Sequence, residues 1–586
     1  MALVSILWLT LGMVNFILLF FRTTPLSTID FAIVPAALSM IDAYLSTFEI
    51  VLVGVWVIAI ITGIVLCWKK LPKTERNWKK SIISVAVTVA VITATISASV
   101  VIASKTNSFA MIKKAYNKWG FVYCFSRGFI DSGINKPDEY SENILDKSLK
   151  AVAIPEKEEK DKPNVIFVQL ESFFDVSYLK NFTFTKDSIP TFTKLKETCP
   201  SGLLTVPSMG GGTANTEFEI ITGINLDFFG IGEYPYQTII KKQPCASVAR
   251  TFKDKGYYTT AIHNHTAEFY NRNEVYPNLG FDKFIPVEYM DIDERNDLGW
   301  AMDSIFLENI PEVMELTPER DFVFAVTVQT HGKYPSRPVY YDKNIYANLI
   351  EYNEEDEDML YSLNYYANEV KETDDVIAGL IEYFEDYHEP VAIVFYGDHL
   401  PAFEITDEDL DGINIYQTEY CIWTNYKDLE PQKEDISSYQ LASLAFDKLE
   451  LNGDVFLNTT SKLKNSPEYE ETLELFAYDM LYGDNHVQGK ILETSNCELG
   501  MHPIQITEVE PREQTALIKG HGFTEFSYVM VNNKKVKTTH IDENNLKIDI
   551  DALEEGDCNV SVAQISSQHT MLSKTENFYV EPFLNN

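Results

Sequence analysis

Four widely separated stretches of this chain carry side chains able to hold a metal ion or a phosphate. They are Glu171 in NVIFVQLES, Thr213 in GGGTANTEFE, His331 in FAVTVQTHG, and the pair Asp398 and His399 in VAIVFYGDHLP. Glu171, Thr213, Asp398 and His399 together offer three oxygens and a nitrogen. That mixed set suits manganese, magnesium or zinc, and ligand type alone does not choose among them. Thr213 is also a candidate nucleophile, because an alcohol inert at its free pKa becomes reactive beside a base or a metal. It follows Gly210, Gly211 and Gly212 and opens a helical-looking run, where bare backbone and free helix N–H groups approach a phosphoryl group. Taken alone, each residue has a plainer role: Thr213 as a helix N-cap, Glu171 as a strand-end carboxylate capping the next helix.

A second group surrounds these four. His263, His265 and His331 all fall at expected strand ends, although a lone histidine is more often structural. Arg272, in FYNRNEVY, has the geometry to pair bidentately with a phosphate, or else to make a surface salt bridge. Tyr270 would line the same pocket.

Side chains so far apart meet only if a sheet gathers them. Strand-like runs fall at 164–170, 202–206, 257–262, 322–329 and 391–396, separated by helical stretches of which 368–387 is the clearest. Alternating strands and helices mean an α/β fold with a largely parallel sheet, whose ligands bind at the carboxyl ends of the strands. From 489 the pattern changes to short alternating runs (IQITEVE, ALIKGHGF, SYVMVNNKKV, NLKIDID, CNVSVAQIS, ENFYVEPF) split by Gly, Asn and Asp. That is the rhythm of a small all-β sandwich. The stretch KGHGFTEFSYVMVNNKKVKTTHIDENNLKIDI resembles the IPT/TIG branch of immunoglobulin-like domains, and it reads as a spacer or a wall-binding accessory.

The N-terminal region is different again. Residues 2–21, 50–68 and 81–104 carry no charge, and each reaches or nearly reaches the ~20 residues needed to span a bilayer. The loop KKLPKTERNWKK between the second and third is basic, which places it in the cytoplasm and everything after 104 outside. Residues 31–48, interrupted by Pro35 and Asp42, read as an interfacial helix rather than a span. Residues 106–135 mix aromatic and basic side chains, as in an amphipathic helix on the lipid surface or a helix packed on the globular domain. IPEKEEKDKP is a charged linker. The expected organisation is therefore 1–105 transmembrane anchor (about three helices), 106–162 juxtamembrane helix and linker, 163–488 α/β domain, and 489–586 β-sandwich. The acidic run 351–359 reads as a solvated loop, with calcium as the alternative.

At 586 residues the chain exceeds a single core, and its formal charge of −38 excludes nucleic acid as a partner. It does not exclude an anionic substrate, since a bound divalent ion dominates its local field. The seven cysteines form no CxxC and read as mostly free thiols, with a Cys497–Cys558 bridge as the one pairing considered.

NVIFVQLES, GGGTANTEF, AIHNHTAEFYNRNEVYPNLGFDKF, TVQTHGKYP and YGDH, in that order, resemble the motifs of lipoteichoic acid synthases. Those enzymes are membrane-anchored phosphoglycerol transferases of the alkaline phosphatase/sulfatase superfamily. The resemblance implies a sulfatase-like α/β domain and one divalent metal, manganese first, with magnesium next and zinc third. It places metal ligands on Glu171, Thr213, Asp398 and His399, the nucleophile on Thr213, and substrate binding on His263, Tyr270, Arg272 and His331. It implies phosphatidylglycerol as donor, a lipid-linked polymer or glycolipid hydroxyl as acceptor, and a multi-pass location in a bacterial cell membrane with the catalytic domain outside. The chain departs from the family's pattern at Tyr270, often Trp, at His265, often Asp, and in three expected spans where the family commonly has five. The competing readings are a phosphoethanolamine transferase, a phosphodiesterase of the same superfamily, and a catalytically dead wall-polymer binder. A true sulfatase is excluded because Cys199-Pro200-Ser201-Gly202 lacks the arginine and spacing of the formylglycine motif.

Overall fold

The computed structural model describes residues 2–21, 25–28, 30–31, 47–70, 78–79, 82–83, 86–87, 112–128, 132–230, 232–339, 345–349, 357–553 and 558–581. They fall into two units, Met1–Asn135 with Leu226–Tyr234, and Lys136–Asn225 with Pro235–Asn586.

The first unit contains two apolar helices, α1 (Ala2–Phe21) and α2 (Thr47–Lys70), the latter closed by Lys69 and Lys70. Among the described residues no helix is long and apolar enough to cross a membrane, so the expected three-span anchor is not found there. The expected span at 81–104 lies almost wholly outside the described residues, as does most of 31–48. Where one juxtamembrane helix is expected within 106–162, the described residues hold three: α3 (Ile112–Trp119) and α4 (Phe121–Arg127), broken at Gly120 with φ 84°, and a further helix at Glu142–Val152. Tyr116 is buried, and its hydroxyl donates to the Leu26 carbonyl at 2.9 Å. It is a packing residue of this unit.

The second unit is built on a nine-stranded sheet. Its strands are β1 (Asn164–Leu170), β2 (Ser201–Thr205), β3 (Tyr258–His263), β4 (Lys283–Pro286), β5 (Asp321–Val326), β6 (Val391–Gly397), β7 (Gln417–Thr424), β8 (Ile436–Ser437) and β9 (Glu498–Leu499). They lie in the order β8-β2-β7-β6-β1-β5-β3-β4-β9. All neighbours are parallel except β7, which runs antiparallel to both β2 and β6. Every residue of β1, β5 and β6 is buried, which is why these strands read as unbroken apolar runs: parallel sheets are covered on both faces. On one face Ile166, Val168, Val323 and Ile393 share a core with Leu363, Tyr366, Val370 and Ile377 of the long helix α7 (Glu357–Glu385). On the other, Phe322 stacks with Phe252 at 4.6 Å and with Phe281 at 6.1 Å. Two shorter helices, α5 (Thr213–Thr222) and α6 (Arg272–Leu279), carry candidate site residues.

The charged linker at 153–163 has no regular structure, yet it is strapped down. Lys157 N–H donates to Asn452 at 2.9 Å, and Glu159 pairs with Lys255 at 2.5 Å. The acidic run lies outside the described residues up to 356. After 489 the chain first adds β9 to the open edge of the α/β sheet, parallel to β4, and only then enters the sandwich. There β10 (Gln505–Pro511), β11 (Thr515–His521), β15 (Asn545–Asp549) and β14 (Thr538–Asp542) form one sheet in that order. The other sheet runs β13 (Lys534–Lys535), β12 (Ser527–Val531), β16 (Cys558–Ile565), β17 (Met571–Lys574), with β18 (Phe578–Val580) also on β16. Ala516, Ile518, Val529, Leu546, Val560 and Val562 fill the space between. Cys497 and Cys558 are free thiols, so no bridge joins them.

Candidate active site

The sheet order explains why the candidate residues meet. β6, β1, β5 and β3 are consecutive and parallel, and Leu170 pairs with Gly397, Gln169 with Val326, and Val326 with His263. Their carboxyl ends therefore lie side by side, ~4.8 Å apart per strand. Asp398, Glu171, Thr327 and His263 follow one another along that edge.

Glu171, Asp398 and His399 are buried, with ligand atoms all within 4.8 Å of one another. His399 Nε2 stands 3.5 Å from Glu171 Oε1 and 3.4 Å from Asp398 Oδ2. His399 Nδ1 faces the Leu400 carbonyl at 2.9 Å. A proton on Nδ1 donates there and leaves the Nε2 lone pair aimed at the carboxylates. Among the described residues neither His399 Nε2 nor Asp398 Oδ2 has a hydrogen-bond partner. Buried polar atoms are rarely left so, and two orphans facing one another beside a second carboxylate fit a divalent cation. Burial pushes Asp398 well above the usual carboxylate range, and the Glu171 charge adds to it. Burial pushes Glu171 up too, but His399 and His331, together with the hydrogen bonds from Ser172 and Thr213, hold that carboxyl down.

Thr213 completes the group. It is 4% exposed, and its Oγ1 donates to Glu171 Oε2 at 3.0 Å. Gly210, Gly211 and Gly212 have φ of 67°, 142° and 100°, a run of left-handed backbone that only glycine adopts readily. Through it the chain turns α5 so that its first residue points back at β1. Thr216, one turn on, donates to the Asp398 carbonyl at 2.7 Å and fixes the helix against β6. Ser172, with φ 49°, donates its N–H to Asp398 Oδ1 at 2.7 Å and its hydroxyl to Glu171 Oε1 at 2.9 Å. It thus orients both carboxylates at once.

The second group is also assembled. His263 Nδ1 lies 2.8 Å from the Val326 carbonyl, and burial, then Arg272, lowers its pKa well below the ordinary value. His265 is lowered to about 3 by burial and by its neighbours His331 and Arg272. Trp300 bridges the histidines, its ring 5.4 Å from His265 and 4.9 Å from His331. Tyr270 has φ 56°, and the Arg272 guanidinium carbon lies 5.5 Å from its ring centre. Arg272 does not make the surface salt bridge that was its plainer alternative. It is 0% exposed and pairs with the equally buried Glu217 of α5, Nη2 to Oε2 at 2.8 Å and Nε to Oε2 at 3.2 Å. Tyr276 donates to the same carboxylate at 2.8 Å. Two nitrogens of the fork are thus committed to Glu217, and Nη1 donates to the Phe269 carbonyl at 3.2 Å.

Sequence reasoning passed over Ser172, Glu217 and Trp300. Glu217 was the most accessible of these, standing four residues after Thr213 and so on the same helix face.

Residues 163–449 match the sulfatase family and residues 504–578 match the IPT/TIG domain. Among curated proteins, a putative cyclic beta-1,2-glucan modification protein of Rhizobium meliloti strain 1021 is 33% identical over 286 residues, 49% of this chain and 43% of its own length. The lipoteichoic acid synthase-like YvgJ of Bacillus subtilis strain 168 is 24% identical over 255 residues, 42% of this chain and 38% of its own. The chain spans less than half the length of both. Among solved structures, the Streptococcus pyogenes phosphoglycerol transferase GacH, in complex with sn-glycerol-1-phosphate, superposes with a TM-score of 0.52 at 25% identity. It covers 62% of this chain and 99% of its own.

Proposed function

We propose that this chain, whose residues 163–449 match the sulfatase family, is a metal-dependent phosphoglycerol transferase of the alkaline phosphatase superfamily with Thr213 as nucleophile. The observation that carries this reading is the 3.0 Å hydrogen bond from Thr213 Oγ1 to Glu171 inside the buried Glu171, Asp398 and His399 cluster. A hydroxyl placed there by three left-handed glycines is costly as mere structure and apt as an attacking group. The phosphoglycerol ligand of GacH supports the choice of headgroup.

Glu171, Thr213, Asp398 and His399 would hold one divalent cation, manganese first, which when bound lowers the hydroxyl's pKa and draws charge from the phosphoryl oxygens. Thr213 Oγ1 passes its proton toward Glu171 and attacks the phosphorus of phosphatidylglycerol. The bond from phosphorus to the diacylglycerol oxygen breaks, and that oxygen takes a proton as diacylglycerol departs. Arg272, held rigid by Glu217, would lend its N–H groups that remain after that pairing to the equatorial oxygens as they gain negative charge. His263 and His331 bind the phosphate or move a proton. A hydroxyl of a lipid-linked polymer or glycolipid then attacks phosphorus and restores the threonine. Extracytoplasmic membrane anchoring through the uncharged N-terminal segments fits a donor and a product that both stay in lipid.

Labelled phosphatidylglycerol incubated with the purified full chain and Mn²⁺ should release diacylglycerol, and Thr213→Ala should release none while staying folded. Release by that variant would remove Thr213 from the chemistry. Release from phosphatidylethanolamine instead would move the chain to the phosphoethanolamine transferases.

A further inference from the structure

The C-terminal sandwich has no part in the chemistry above, yet one row of its contacts with the α/β domain leads, directly or through Glu288, to the segment 265–272, which carries His265, Tyr270 and Arg272. Thr524 Oγ1 donates to the Glu288 carbonyl at 2.7 Å, and Gln564 Nε2 donates to that same carbonyl. Ser527 donates to the Gln564 side-chain oxygen at 2.8 Å and fixes the amide's orientation. Thr524, Ser527 and Gln564 are all buried. Glu288 is the next link. Its carboxylate accepts the Ala267 N–H at 3.0 Å, while the neighbouring Val287 N–H donates to the His265 carbonyl at 3.1 Å. A second tether reaches the segment directly, Ser566 Oγ donating to Glu268 Oε2 at 2.5 Å. Tyr289 donates to Ser573 at 2.6 Å and secures the same joint.

The segment has reason to need holding. Tyr270 and Asn271 both sit at φ 56°, a left-handed conformation unfavourable to residues other than glycine that persists only where the surroundings impose it. A spacer or a wall-binding module would require one flexible connection. Here a row of buried polar groups, which would be expensive to leave unpaired, is spent on the backbone beside the candidate headgroup residues.

We propose that the sandwich is a positioning element for the substrate loop: through Thr524, Gln564 and Ser566 it holds residues 265–272 in the conformation that receives the phosphate headgroup. The loop's role in binding rests on the function proposed above. The tether itself does not.

The test uses the full chain with Thr524→Val, Gln564→Leu and Ser566→Ala, and with Val562→Ala as a control inside the sandwich core. Amide hydrogen exchange across 265–272 should quicken by about tenfold in the first three, the equivalent of one buried hydrogen bond, with β1 and β6 unchanged. Thr524→Ser, which keeps the hydroxyl, should restore slow exchange. Val562→Ala should leave the loop unaffected. In turnover, KM for phosphatidylglycerol should rise while kcat changes by less than about twofold, the pattern of lost binding rather than lost chemistry. Unchanged loop exchange in all three variants, or equal quickening in Val562→Ala, would overturn the proposal. If the chain turns over no lipid at all, the exchange data still decide whether the tether exists, so that failure falls on the proposed function alone.

Discussion

Glu217 and Arg272 form an ion pair in which neither side chain is exposed (0% and 0%), and that burial sets what their separation should cost. Glu217→Ala leaves the guanidinium inside the protein with the Phe269 carbonyl as its remaining named acceptor, and deprives the Tyr276 hydroxyl of its partner. Removing one member of a buried pair typically costs about 3–5 kcal/mol, because the surviving charge has no solvent. Glu217→Gln keeps the volume and one oxygen but weakens charge-assisted bonds, so about 1.5–3 kcal/mol is expected. Replacing both residues by methionine removes the orphan charge, and the double variant should be far closer to wild type than the sum of the single losses. Urea unfolding of the purified chain, followed through the catalytic-domain transition, measures all of these. The same pair places Arg272, so Glu217→Gln should also lower kcat/KM by about 10- to 100-fold through misplacement of the guanidinium. A Glu217→Ala loss below about 1 kcal/mol, or additive losses in the double variant, would refute the claim that this pair is a mutually compensating unit.

Other outcomes follow from neighbouring features. A Cβ on Gly397 would lie 2.5 Å from the Phe173 carbonyl oxygen, so Gly397→Ala should displace the end of β6, cost about 1–3 kcal/mol and abolish turnover by moving Asp398. Mn²⁺ at a hundred times its Kd should stabilise the wild type by about 2.7 kcal/mol, a gain calorimetry should find missing in Asp398→Asn. Burial raises the Glu288 carboxyl from 4.5 to about 7. The native state then keeps a proton the unfolded state has lost, so its contribution to stability declines as pH rises from 4.5 to 7. Glu288→Gln should flatten that part of the pH–stability curve.

Much of this site could be read from the sequence because parallel strands buried on both faces announce themselves. NVIFVQL and VAIVFYG are unbroken apolar runs, and the next residue of each is necessarily at the sheet's carboxyl edge. That logic located Glu171, Asp398 and His399. It could not supply the strand order, which depends on nonlocal pairing and decides that β1 lies between β5 and β6. β7 is not legible because QTEYCIWT mixes polar and apolar residues without clean alternation, as an antiparallel strand partly exposed at both ends does. Arg272 reads from sequence as a candidate phosphate partner, but its pairing with Glu217 does not, since nothing local tells which face of α5 meets α6. The sandwich's turn-punctuated runs were legible. Its grip on 265–272 was not, because it is made by single polar side chains whose partners lie hundreds of positions away.

The central claim is that Thr213, within a cation-binding cluster, becomes covalently attached to the transferred group. Mass spectrometry of the peptide bearing Thr213, after rapid quenching of full-length protein mixed with phosphatidylglycerol and Mn²⁺, tests it most directly. A glycerophosphate adduct on Thr213, absent when the metal is chelated, is the predicted result. Steady release of diacylglycerol with no adduct on that residue at any time point would contradict it.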